Sequence, residues 1–88
     1  MKEARLVLSN ELGLHARPAA MFAKTAAKYN SSITLKGKNR SANAKSLLAI
    51  MSLGLEKGDE MTVSAEGPDE EECINSLKAL VENNFDKA

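Results

Sequence analysis

A lone histidine, His15, stands at or just before the start of a helix and is followed at once by Ala16, Arg17 and Pro18. A helix start presents unpaired backbone N–H groups and the positive end of the helix dipole, and both favour a phosphate-like group. Pro18 has no N–H, so the amides available there are those of Ala16 and Arg17, and the Arg17 guanidinium adds a planar cationic donor. An imidazole with an ordinary pKa of about 6.5 is largely neutral near pH 7 and can attack phosphorus through a ring nitrogen. The helix end and Arg17 would then stabilise the negative charge that the histidine takes on, which is the electrostatic logic of phosphoryl transfer. A solvent-facing loop suits a group that must be both taken up and released better than a sealed pocket does. From position alone, a histidine that merely caps or decorates its helix is the plainer reading, and an arginine beside it is ordinary.

Ser46 is the second polar residue at a helix start. It precedes Leu47-Leu48-Ala49-Ile50-Met51-Ser52-Leu53 and makes a natural N-cap, worth about 1 kcal/mol. A phosphate there would be tolerated by the helix dipole and would act through surface charge without unfolding the chain. The run behind it holds too many apolar residues for one side of a short helix. Leu47, Leu48 and Met51 are expected to face outward as partner contacts, with Ile50 and Leu53 turned inward. The alternative is that all five are core. Met21 and Phe22 divide in the same way, flexible Met21 suiting a surface that meets several partners and Phe22 packing inside.

The elements that must position these residues follow from periodicity. Ala4, Leu6 and Leu8 alternate with Arg5, Val7 and Ser9 as in a strand with one wetter face, and Asn10 to Gly13 forms a loop. Ala19, Phe22, Ala23, Ala26 and Ala27 recur at helical spacing within a helix from Ala16 to Lys28. Ile33 and Leu35 mark a second strand, Gly37-Lys38-Asn39 a turn, and Arg40 to Asn43 the returning arm of a hairpin. The Ser46 helix runs to about Leu53 and Gly54 ends it in a left-handed conformation. Met61, Val63 and Ala65 form a fourth strand. Asp69 with Glu72 makes a capping-box-like start to a last helix whose inner stripe is Cys73, Ile74, Leu77, Leu80 and Val81.

The order is βαββαβα. A right-handed crossover from the first strand to the second leaves room for the fourth between them, so all neighbours are antiparallel and the strand order is 1-4-2-3. The fold class is therefore α+β, an open-faced sandwich with the sheet covered on one face by helices. At 88 residues the chain is expected to form a single domain spanning 1–88.

Composition excludes several function classes. The 12 basic and 12 acidic residues cancel, and aromatic residues make up only 3%, so neither phosphate-backbone affinity nor base stacking is supported and nucleic acid is not an expected partner. Neither membrane insertion nor a signal peptide is expected, since the N-terminus lacks an apolar h-region and no apolar run approaches spanning length. One cysteine, Cys73, and one histidine cannot supply the four ligands of a structural zinc site, and neither a metal nor a cofactor is expected. Cys73 reads as a small buried apolar residue.

The segment Gly13-Leu14-His15-Ala16-Arg17-Pro18-Ala19-Ala20 resembles the active-site signature of the HPr family, the histidine-containing phosphocarriers of the bacterial phosphotransferase system. Lys45-Ser46-Leu47-Leu48-Ala49-Ile50-Met51-Ser52-Leu53-Gly54 resembles the family's regulatory-serine segment at the family's separation from the histidine, and the resemblance covers essentially the whole chain. It implies that His15 is phosphorylated on Nδ1 by phosphorylated Enzyme I, itself charged by phosphoenolpyruvate, and donates to the IIA units of sugar permeases, with Arg17 steadying the phosphoryl group. It further implies that Leu47, Leu48, Met51 and Met21 belong to the docking surface. Ser46 would be a regulatory phosphorylation site for an ATP-dependent serine kinase/phosphorylase in those bacteria that have one, with recruitment of a catabolite repressor. The chain would be a cytoplasmic monomer and a stoichiometric phosphoryl carrier, not an enzyme.

Two neighbouring readings share these residues. The nitrogen-related paralogue of the same carrier has the His15 motif, and the stretch from Glu66 to Glu71 and the Asn84-Phe85-Asp86 tail look somewhat like it, whereas Met51-Ser52-Leu53-Gly54 favours the sugar branch. A non-catalytic co-repressor module acting through Ser46 is the reading from a different class, and the presence of His15 argues against it. A self-sufficient enzyme is disfavoured because no acid-base pair, metal cluster or glycine-rich phosphate loop accompanies His15.

Overall fold

The computed structural model describes residues 1–85. Its elements are β1 (Lys2–Val7), α1 (Ala16–Ala26), β2 (Ser32–Gly37), β3 (Arg40–Asn43), α2 (Leu47–Ser52), β4 (Glu60–Glu66) and α3 (Glu70–Glu82). The strands form one antiparallel sheet in the order β1-β4-β2-β3. The expected topology is therefore the observed one: four strands with helices on one face and the other face open.

Register explains why the sheet has two unlike faces. Ala4 pairs with Val63, Val63 with Leu35 and Leu35 with Ala42, so one row of apolar side chains crosses all four strands toward the helices. The next row, Arg5, Thr62, Lys36 and Ser41, projects to the open face. A slip of one residue would exchange the two rows, so the alternation in the sequence fixes the register. Above the apolar row, α3 lies over β1 and β4, α1 packs between α3 and α2, and α2 reaches β3. Phe22, Ile50, Leu77 and Leu35 are fully enclosed at this junction. The β2–β3 turn carries positive φ at both Lys38 and Asn39, the handedness that a two-residue hairpin needs to match strand twist.

Element ends depart from the alternation and periodicity in three places. The β1 ladder runs from Lys2 and stops at Val7; Leu8 stays buried, but its N–H donates to the Asp59 carbonyl outside the ladder. The first helix ends at Ala26, two residues before Lys28, because Lys28 and Tyr29 donate to carbonyls three residues back and tighten the last turn. The capping box at α3 does not form. The Asp69 carboxylate instead accepts the Ser31 hydroxyl (2.6 Å) and the Asn30 N–H (2.8 Å), tying the α3 start to the β2 start. Glu70 takes the Gly67 N–H at 3.0 Å. Those donors, the Ser31 hydroxyl first, hold Asp69 below the usual carboxylate range. Along α3, Cys73, Ile74, Leu77 and Val81 are buried while Leu80 is half-buried. Burial raises the Cys73 thiol pKa.

Candidate functional site

The loop that delivers the histidine is pinned to the segment following α2. Gly13 has φ +63, and a Cβ there would lie 2.6 Å from both Glu56 Cα and the Leu55 carbonyl, so only glycine lets the two backbones approach this closely. The next residue, Leu14, is buried and donates its N–H to the Leu55 carbonyl at 3.0 Å. Asn10 Nδ2 closes the other side of the loop on the Gly13 carbonyl at 2.8 Å. On the partner segment, the Asp59 carboxylate accepts the Glu56 N–H at 2.7 Å, and this bond, with the Lys38 ammonium 3.5 Å away, keeps Asp59 below its ordinary pKa. His15 is thus the first exposed residue beyond a fixed anchor.

His15 is the N-cap of α1, in extended backbone (φ −78°, ψ −170°), and its side chain makes no capping hydrogen bond. Its carbonyl starts the helix by accepting the Ala19 N–H at 2.8 Å. The exposed imidazole is left for other use. Ala16, Arg17 and Pro18 occupy the first three helical positions; with Pro18 lacking an N–H, Ala16 and Arg17 supply the open amides, and the first turn contains no acidic residue.

Arg17 and His15 share this helix start but line different hollows, each of about 300 Å³. His15 borders one with Leu14, Met51, Gly54, Leu55 and Glu56. Arg17 borders the other with Asn10, Leu12, Pro18, Met21 and Phe85 among its walls. The expected pairing of guanidinium and imidazole is therefore one of neighbouring positions, with the two residues walling different hollows.

Ser46 caps α2, its Oγ accepting the Ala49 N–H at 3.3 Å and its carbonyl the Ile50 N–H. The outward and inward residues of α2 fall as periodicity divides them: Leu48 is 80% exposed, Leu47 39% and Met51 38%, against 0% for Ile50 and 3% for Leu53. Met21 is half-buried and Phe22 fully enclosed. Gly54, with φ +65, ends the helix as expected, and its carbonyl receives Lys38 Nζ at 2.7 Å. Met51 joins the two parts of the site, since it belongs to the α2 patch and also walls the His15 hollow.

The residue that sequence reasoning missed is Glu56. Its signal was available: it is the first carboxylate after Glu11, and nothing but cations carries charge between them. Among the described residues, no cluster of three or more His, Cys, Asp or Glu could hold a metal ion, and no helix is long and apolar enough to cross a membrane.

A family model described as "PTS HPr component phosphorylation site" matches residues 2–83. The phosphocarrier protein HPr of Vibrio cholerae is 44% identical over 82 residues, covering 93% of this chain and 96% of that protein. The HPr of Mycoplasma pneumoniae is 41% identical over 83 residues, covering 93% and 94%. Among solved structures, HPr-C-His from Thermoanaerobacter tengcongensis superposes with a TM-score of 0.95 at 48% identity, covering 100% of this chain and 99% of that one. The open-faced fold with a histidine at the start of its first helix defines a protein of the HPr class. The chain belongs to the HPr family, the phosphocarriers of the phosphotransferase system.

Proposed function

We propose that this chain accepts a phosphoryl group on Nδ1 of His15 from phosphorylated Enzyme I and donates it to IIA units of sugar permeases. It acts in the cytoplasm as a stoichiometric carrier, a single monomeric domain that is a substrate of its partners and not an enzyme. The observation that carries this reading is the exposed, unbonded imidazole at the start of α1, beside the open amides of Ala16 and Arg17. The lone pair of the imidazole forms the N–P bond as the donor's bond to phosphorus breaks, and those amides and Arg17 then meet the transferred charge where no carboxylate stands in the first turn. The exposed Leu47, Leu48 and Met51 of α2, with the half-buried Met21 of α1, supply the apolar contact that brings a partner's reactive group to the histidine.

Ser46 is proposed as a modulating site for hosts that have the serine kinase/phosphorylase and the catabolite repressor. A phosphate on its Oγ would place about −2 charges beside Leu47 and Leu48 and oppose an acidic partner there.

Incubation with Enzyme I and labelled phosphoenolpyruvate tests the carrier role. The expected product is an acid-labile, base-stable phosphate in the wild-type chain and none in His15→Ala. Label that persists in His15→Ala would sink the assignment.

A further inference from the structure

Glu56 is placed beside the histidine by two backbone contacts, the Leu14 N–H to the Leu55 carbonyl and the close approach of Gly13 to Glu56 Cα, and it walls the same hollow as His15. Its carboxylate makes no hydrogen bond or ion pair among the described residues, and the nearby cations are engaged elsewhere. Lys38 donates to the Gly54 carbonyl (2.7 Å) and lies 3.5 Å from Asp59, while Lys57 pairs with Glu11 at 3.6 Å. Arg17 walls the other hollow together with Glu11, and Glu56 is the one carboxylate among the residues that wall the His15 hollow.

We propose that Glu56 is a positioning residue that limits how tightly His15 holds its phosphoryl group, a reading that rests on the carrier role proposed above. A phosphoryl group on the imidazole carries close to two negative charges, and the Glu56 carboxylate raises its free energy without touching the reacting atoms. In onward transfer the P–N bond at His15 breaks, its electron pair returns to the imidazole, and the acceptor's nucleophile forms the new bond to phosphorus. Glu56 favours that direction because its repulsion is relieved when the group leaves. Docking of a partner over the Met51 side of the hollow would exclude water and strengthen the repulsion at the moment of transfer.

The test is the equilibrium of the full chain with phosphoenolpyruvate and pyruvate through Enzyme I, read as the phosphorylated fraction by phosphorus NMR. Glu56→Gln should shift the constant toward the phosphorylated chain by about three- to tenfold at low salt, and the shift should shrink severalfold at about 0.5 M salt, where the screening length falls to a few ångströms. Glu56→Asp should restore the wild-type value, and Glu82→Gln, which removes one carboxylate from exposed α3 surface, should leave it unchanged. Thermal melts check that all variants are folded. An unchanged constant in folded Glu56→Gln, or an equal shift in Glu82→Gln, overturns the role of Glu56 alone. A wild-type chain that takes no label on His15 overturns the carrier reading and this inference with it.

Discussion

Between Leu12 and Leu55 the chain carries Arg17, Lys24, Lys28, Lys36, Lys38, Arg40 and Lys45 and no carboxylate. Between Glu56 and Glu82 nine carboxylates stand against only Lys57 and Lys78. The first stretch holds α1, the hairpin and α2; the second holds β4 and α3. The two surfaces also treat apolar side chains differently. The α2 helix leaves Leu47, Leu48 and Met51 in solvent, while α3 sinks Cys73, Ile74, Leu77 and Val81 into the core and shows polar residues outside. Exposed apolar residues in a stretch that carries cations and no carboxylate make a surface suited to an acidic partner with an apolar centre. An acid-rich helix whose apolar stripe is mostly used, with only Leu80 half-buried, makes a cover. Electrical neutrality of the whole chain averages this segregation away.

The sharpest way to break the contrast is to truncate one leucine on each helix. Leu77→Ala in α3 removes a fully buried side chain and is expected to cost about 2–5 kcal/mol in a denaturant melt. Leu48→Ala in α2 should stay within about 0.5 kcal/mol of wild type, because its side chain is already in water. Equal losses at the two sites would mean that α2 is core.

Phosphoryl transfer should rank the same pair in reverse. Leu48→Ala is expected to slow phosphorylation by Enzyme I, at limiting chain concentration, by about tenfold, or about 1.4 kcal/mol of partner contact. Folded Leu77→Ala should transfer at nearly the wild-type rate. A fast Leu48→Ala chain would detach the α2 patch from docking.

Charge reversal gives a smaller contrast. Lys24→Glu with Lys28→Glu should reduce the association rate severalfold at low salt and lose that effect as salt rises, whereas Glu71→Lys with Glu72→Lys should not reduce it. The same salt-dependent loss from the α3 pair would show that the partner does not distinguish the two surfaces.

The smallest effect concerns Asp69, which joins the two halves by accepting from Asn30 and Ser31. Its pKa is lowered in the folded chain, so it binds protons less readily there than when unfolded, and its stabilisation is fully present above the unfolded value. That contribution is lost as pH falls through the lowered folded value. Asp69→Asn should therefore melt earlier than wild type at pH 7, with the gap closing as pH drops below the ordinary carboxylate range. A gap that persists in strong acid would show that the charge of Asp69 is not what ties Ser31 to α3.

Much of this was legible in residues alone. The alternation Leu6, Met61, Val63, Ile33, Leu35 marked the buried face of each strand, because a pleated strand can bury only every second side chain. The division of α2 into Ile50 and Leu53 inside and Leu47, Leu48 and Met51 outside followed from helical spacing and the shortness of the run. Asp69 is the N-cap of α3 as its spacing to Glu72 suggests, but the capping box does not form because its carboxylate takes competing donors, Ser31 and Asn30, that lie 38 and 39 residues away along the chain. No local pattern contains them.

His15 shows where the boundary between the two kinds of information lies. The sequence by itself determined that an imidazole stands at a helix start with two open amides and no acidic neighbour, because a proline at the third helical position and the absence of acidic residues in the first turn are properties of consecutive residues. Only the tertiary structure decided what surrounds it: Met51 bringing the apolar patch to its edge, Arg17 turned to one hollow and Glu56 walling the other. Those neighbours are set by the packing of α1 against α2 and by a glycine, Gly13, that admits the backbone of a segment more than forty residues away. Contacts of that range depend on how whole elements fill the space above the sheet, and the local spacing of residues carries no record of them.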